Sequence, residues 1–155
     1  MATSDITKEQ CHLVKKSWDA VSINLPQNGV DILLEFFQQY PTYKNFFRHF
    51  RDESLIELRT SPKLRGHGSR IMYTFASLVV NLDEPEVLEE MVIKIVEDHQ
   101  PRGVRANHYQ ELFDVILKVL KQKLGDQFDG KTEEAWRALF KYLLGIMNQA
   151  VKQLK

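Results

Sequence analysis

Two histidines lie on separate amphipathic stretches of the sequence, and their surroundings could hold a metal-bearing group. His67 precedes Ile71 by four residues and His99 follows Ile95 by four, so each imidazole projects from the apolar face of a predicted helix. An aromatic-rich segment at residues 40–50 precedes both histidines. Two imidazoles that share an apolar, aromatic space could hold a flat ring that carries iron.

Each histidine also has an ordinary structural interpretation. A buried imidazole paired with a neighbour explains His67 alone, because burying an unpaired polar group costs about 1–3 kcal/mol and proteins normally pair it. His99 ends its helix shortly before Pro101 and Gly103. A capping histidine would use the helix macrodipole there, but the free carbonyls could equally fix one ring nitrogen and leave the other for a metal.

Two glycines beside His67 favour the interpretation that this histidine faces a binding site rather than being an ordinary buried histidine. Gly66 and Gly68 each cost about 1 kcal/mol relative to alanine inside a helix, so we expect a close helix crossing at this point. Gly29, on another predicted helix, is the expected counterpart of Gly68. Such a crossing would bring apolar side chains over the face of His67, namely Leu33, Phe37 and Ile71.

The apolar residues recur with a period of 3.6 along the chain, which predicts an all-α fold. Capping and breaking signals predict a first helix that Thr7 caps and Pro26 ends, and a short turn or helix after Pro41. The other predicted helices cover residues 30–37, 62–80, 85–99, 107–124 and 132–154, with Thr132 capping the last.

The length and charge of the chain narrow the classes of function. A length of 155 residues predicts one domain, residues 1–155. The 21 basic residues balance 21 acidic ones, so we expect no nucleic-acid or membrane partner. A single cysteine, no leader-like start and no long apolar run indicate a cytoplasmic protein, and we expect a monomer or weak homodimer.

Other chemistries that use histidine lack their partner residues in this sequence. No further cysteine, histidine or carboxylate lies at zinc-ligand spacing from His67 or His99. A nucleophilic serine elbow and a glycine-rich phosphate loop are also missing. Cys11 has only His12 as a neighbouring base, and we expect His12 to face solvent.

These segments resemble the globin family over nearly the whole chain, from Lys15–Trp18 to Trp136–Phe140. Pro41 followed by Phe47 resembles the family's turn whose phenylalanine stacks on haem. His67–Gly68 resembles the distal histidine with its helix-crossing glycine. His99, with the following Pro101–Val104 segment and Tyr109, resembles the proximal iron ligand and its neighbours.

The resemblance implies a globin fold of about eight helices around a pocket for haem b. His99 would ligate the iron, and His67 would either hydrogen-bond bound gas or ligate the iron itself. Arg70 and Arg102 would pair with the haem propionates, unless they are solvated surface arginines. The implied lining consists of Leu33, Phe37, Phe47, Phe50, Ile71, Ile95, Val104 and Tyr109.

The function implied by this resemblance is reversible binding of dioxygen for storage, transport or supply, without enzymatic activity. The segments Lys16–Ser22 and Leu124–Phe128 are more similar to intracellular invertebrate globins and neuroglobins than to vertebrate myoglobin, although Gly68 is typical of oxygen carriers. The alternatives are a redox role, such as nitric oxide dioxygenation or nitrite reduction, and gas or redox signalling. A helical adaptor without haem is the remaining hypothesis.

Overall fold

The computed structural model describes residues 5–154 of the chain, and this part consists of α-helices and short 3₁₀ segments, with no strand. The helices are α1 (Lys8–Val21), α2 (Leu25–Gln39), α3 (Leu55–Leu58), α4 (Pro62–Val80), α5 (Pro85–His99), α6 (Ala106–Leu124) and α7 (Gly130–Gln153). The predicted all-α fold is confirmed. Most of the segment used to predict that no leader is present, residues 1–4, lies outside the described residues.

The local signals in the sequence place most helix boundaries correctly. Thr7 accepts a hydrogen bond from the Gln10 amide at 3.1 Å, and the Gln10 side chain accepts one from the Thr7 amide at 3.0 Å. Ser61 caps α4, whose first residue is Pro62. Helix α5 ends at His99, before a turn in which Gly103 adopts a φ of 85°. The two helices that carry the histidines therefore have the predicted limits.

Two predicted boundaries are wrong. Pro26 does not end α1 but lies in the first turn of α2, where a missing amide hydrogen costs no helical hydrogen bond. The Asn24 side chain caps this helix by accepting from the Gln27 amide at 3.3 Å. Likewise Thr132 lies inside α7 and is buried, while Asp129 caps the helix by accepting from the Thr132 amide at 2.9 Å.

Helices α2 and α4 cross with their backbones in contact. A Cβ atom added to Gly29 would lie 2.5 Å from the carbonyl oxygen of Gly68, and one added to Gly68 would lie 2.9 Å from the carbonyl carbon of Gly29. The predicted pairing of these glycines is therefore confirmed. The same prediction is wrong for Gly66, because a Cβ atom there would meet nothing within 4 Å.

The remaining helices close the core beneath this crossing. Trp136 of α7 is fully buried, and its indole nitrogen donates to the Ser17 hydroxyl of α1 at 2.8 Å. The rings of Phe113 on α6 and Phe140 on α7 stack at 4.3 Å. In the part of the chain that the structure describes, no helix combines the length and the apolar character that crossing a bilayer requires.

The glycine crossing gives a test of the fold with an internal control. Gly68→Ala should lower the free energy of unfolding by about 2 kcal/mol or more, because the added methyl overlaps the α2 backbone. Gly66→Ala, two residues away on the same helix, should be neutral or stabilising by up to about 1 kcal/mol. Urea unfolding followed by circular dichroism measures both values. Equal stability of the two variants would contradict the proposed contact.

Candidate functional site

A cavity of about 350 Å³ lies among α2, the Pro41–Phe46 segment, α4, α5 and α6, a size within the range of ligand-binding pockets. Aromatic and aliphatic side chains make up most of its wall: Leu33, Phe36, Phe46, Phe47, Ile71, Phe75, Leu78, Ile95, Val104, Leu112, Phe113 and Met147. Among the polar residues at its surface are His67 of α4 and His99 of α5. The structure thus brings the two histidines to one apolar space.

The predicted site residues other than Phe37 and Phe50 line this cavity. Phe37 is buried behind the wall, with its ring 5.4 Å from that of Phe47 and 6.0 Å from that of Phe50. Phe50 is itself buried and lines the outer opening instead. Phe37 therefore does not line this cavity directly and supports Phe47 from behind.

Several residues of the wall were not predicted from the sequence. Phe36 takes the place expected for Phe37, because adjacent helical residues point about 100° apart and the apolar stripe of α2 contains both. Tyr43 and Phe46 belong to the aromatic-rich segment at residues 40–50, where the sequence does not show which side chains face the cavity. His108, in the first turn of α6, has no apolar periodicity that would mark it.

His99 is oriented by its own helix. Its Nδ1 atom lies 2.7 Å from the backbone oxygen of Ile95 in the last turn of α5. A carbonyl oxygen can only accept, so Nδ1 carries the hydrogen, and in the neutral ring the lone pair is on Nε2. The ring of Tyr109 packs edge-on against the imidazole at 6.1 Å. This is the arrangement in which a histidine presents a basic nitrogen to a metal, with the second nitrogen held by a backbone carbonyl.

His67 lies on the opposite helix and is half-buried against aromatic rings. Phe47 approaches its imidazole edge-on at 4.9 Å, and Phe50 lies at 6.0 Å. Burial lowers the pKa of His67 to about 4, and the neighbouring positive charge of Arg70 acts in the same direction. The ring is therefore neutral at pH 7. It forms no hydrogen bond with any residue from 5 to 154.

One buried hydroxyl in the cavity also lacks a partner. Tyr109 is only 6% exposed, and its phenolic oxygen makes no hydrogen bond within the described chain. Burial raises its pKa to about 12, so the phenol remains a neutral donor at physiological pH. An orphaned polar atom in an otherwise apolar wall is consistent with a space that accommodates a further molecule or water.

The cavity opens to solvent through a basic mouth of about 1000 Å³, which we define by the basic side chains that line it: Arg48, His49, Lys63, Arg70 and Arg102. Within residues 5–154, none of these five side chains forms an ion pair. Unpaired arginines at an opening are suited to bind carboxylates that project from a ligand in the cavity.

This donor set fits haem. An imidazole nitrogen is available on one side and a neutral imidazole on the other, the walls match the apolar faces of a porphyrin, and the mouth matches its two carboxylates. The ring's own nitrogens would complete the coordination of the iron.

Comparison with known proteins agrees with the geometry. The model of the globin family matches residues 30–147. A globin of Nerita albicilla is 28% identical over 149 residues, which cover 96% of this chain and 95% of that protein. Globin CTT-VI of Chironomus thummi thummi is 32% identical over 135 residues, covering 84% and 79%. The Globin-2 B chain of Anadara inaequivalvis is 30% identical over 131 residues, covering 84% and 85%.

The matched segment begins one residue after Gly29, contains both histidine helices, α4 and α5, and covers most of the chain. Fold, cavity and sequence similarity agree. The chain belongs to the globin family, whose members bind haem and are oxygen-binding proteins.

Proposed function

We propose that this protein binds haem b in the cavity and reversibly binds dioxygen there, with His99 as the proximal iron ligand. The observation that carries the proposal is the hydrogen bond between His99 Nδ1 and the Ile95 carbonyl, which leaves Nε2 as the nitrogen available to a metal beside the cavity. When bound, the haem iron supplies the reversible coordination of diatomic gases.

The walls of the cavity exclude water and protons from the gas site. Leu33 and Phe113 are almost completely buried, and Ile71 and Ile95 are half-buried against the same core. Phe47, which Phe37 supports from behind, would pack against one face of the porphyrin ring. An apolar lining of this kind favours reversible binding over oxidation of the iron, since charged products are poorly solvated there.

His67 has two possible roles at the gas site. A neutral imidazole can donate an N–H to the partly negative outer oxygen of bound dioxygen, which contributes about 0.5–1.5 kcal/mol. The same neutral imidazole can ligate the iron through its lone pair, and an external gas must then displace it. The lowered pKa supports the second role, because a protonated ring could not act as a ligand, and it is compatible with the first, because the neutral ring keeps one N–H.

The basic mouth would hold the carboxylates of the haem. Arg70 of α4 and Arg102 of the turn after α5 line both the cavity and the mouth, and neither is engaged in an ion pair within the described residues. A guanidinium suits this task because it binds a carboxylate through two parallel hydrogen bonds. We propose a non-enzymatic cytoplasmic protein, a single domain of residues 1–155, that is a monomer or weak homodimer.

The proximal assignment is tested by replacing His99. His99→Gly should lose haem during gel filtration or retain it only with added imidazole, because the variant lacks the nitrogen that holds the iron. The Soret absorbance per protein measures haem content. His12→Gly is the matched control, since His12 is exposed on α1, away from the cavity. Haem content and spectrum unchanged in His99→Gly would contradict the assignment.

The role of His67 is tested by the visible spectrum of the ferrous, gas-free protein. Two sharp bands that disappear in His67→Leu indicate that His67 ligates the iron, whereas one broad band indicates five-coordinate iron. In the second case His67→Leu should speed dioxygen dissociation by about two- to tenfold, the equivalent of one lost hydrogen bond. Stopped-flow measurement gives this rate. An unchanged spectrum together with an unchanged rate would exclude both roles.

A further inference from the structure

Helix α4 presents two large apolar side chains to solvent on its outer side. Tyr73 is 60% exposed and Val80 is 74% exposed, although the opposite side of the same helix is buried in the core. The two residues are seven positions apart, which is close to two helical turns, so they lie on one line along the helix. Ser77 lies between them and is also exposed. Apolar residues that recur every seven positions are typical of a helix that packs against a second helix.

Gly66 extends this line by another seven residues towards the start of α4. It is exposed, and a Cβ atom added there would meet nothing within 4 Å, so nothing in the described chain requires a glycine. Inside a helix, glycine costs about 1 kcal/mol relative to alanine. A glycine is favourable where another molecule approaches the backbone closely. We define the outer face of α4 by four residues, Gly66, Tyr73, Ser77 and Val80.

The two ends of the outer face carry opposite charges. Arg59 and Lys63 are exposed at the start of α4, and Glu84 and Glu86 are exposed just beyond its end. Within the described chain, none of these four side chains forms an ion pair. A twofold rotation about an axis at Tyr73 brings the basic end of one molecule to the acidic end of another, and it does so twice. The face is therefore complementary to itself.

We propose that the outer face of α4 is the contact surface of a homodimer, in which the α4 helices of two copies pack antiparallel about a twofold axis at Tyr73. The two Tyr73 rings meet at the axis and bury apolar area there. Val80 of each copy lies opposite Gly66 of the other, so a large side chain fills the space above the glycine. The inference names the surface of the weak homodimer proposed above and does not depend on haem.

The extent of the face sets the strength of this dimer. Helix α4 has 19 residues and is about 28 Å long. One helix pair of this length buries less than the roughly 1,200–2,000 Å² of stable complexes, so we expect a dimer that forms at about 0.1–1 mM protein and dissociates near about 1 µM. A second copy is favoured over a different protein because it supplies both charged ends at the required separation.

Sedimentation equilibrium of the haem-loaded, full-length protein between about 1 µM and 1 mM measures the dissociation constant. Tyr73→Glu should raise this constant at least about tenfold, because two carboxylates would meet at the axis. Ile23→Glu is the matched control and should leave it unchanged, since Ile23 is 86% exposed but lies outside α4. The Soret band of the same samples reports haem binding separately, so failure of the haem site and failure of the dimer are distinguishable.

Charge reversal tests the antiparallel arrangement. Glu86→Lys and Arg59→Glu should each weaken the dimer about three- to tenfold, because each places like charges together twice. The double variant should restore the wild-type dissociation constant, since opposite charges meet again. Damage to the fold of the monomer would not be repaired in this way.

Cysteine cross-linking locates the axis. Tyr73→Cys should form a disulfide with its own copy on mild oxidation, because the axis brings the two residues together. Val80→Cys should not, since Val80 lies opposite Gly66. The wild-type protein is the control for Cys11, which is buried.

Each outcome bears on the inference. A protein that stays monomeric at about 1 mM would overturn it, as would a dimer that Tyr73→Glu leaves intact. Cross-linking of Val80→Cys in preference to Tyr73→Cys would overturn the proposed axis. Circular dichroism checks that each variant folds. If Tyr73→Glu does not fold, Ser77→Glu on the same face and the cysteine variants decide.

Discussion

The backbone contact between Gly29 and Gly68 fixes the geometry on which the cavity depends. It sets the separation of α2 and α4 at the point where His67 leaves α4, one residue before the contact. Leu33 lies one turn further along α2 and therefore reaches the same cavity as His67. A side chain at either glycine would push the helices apart and change the distance between the two imidazoles.

The two imidazoles are held in place by different contacts, and this gives them different freedom to turn. His99 is held by a carbonyl of its own last turn, so its ring has one orientation and its Nε2 atom has one direction. His67 is held only by packing against Phe47 and Phe50, so its ring can turn about its side-chain bonds. A fixed imidazole and an adjustable one on the facing helix suit the proposed roles of His99 and His67 at a haem iron.

Charged side chains at the mouth of the cavity differ from those on the rest of the surface. Elsewhere on the surface, lysines such as Lys94 and Lys123 pair with aspartates, while the basic side chains of the mouth stay unpaired within the described residues. The carboxylate of Glu111, in contrast, has a partner beside the cavity, because it accepts a hydrogen bond from the Tyr43 hydroxyl.

Local sequence signals determined the elements, because capping, proline placement and apolar periodicity act within a few residues. They gave α4 and α5 their limits, marked Gly29 and Gly68 as partners, and put His67 and His99 on apolar faces. Three features were decided only by the tertiary structure. Phe36 rather than Phe37 lines the cavity, and Gly66 does not take part in the helix crossing. The Tyr43 hydroxyl donates a hydrogen bond to Glu111, 68 residues away in sequence. The reason is that rotation of a helix about its axis and contacts between distant segments are set by packing of the whole core, which no short stretch of sequence contains.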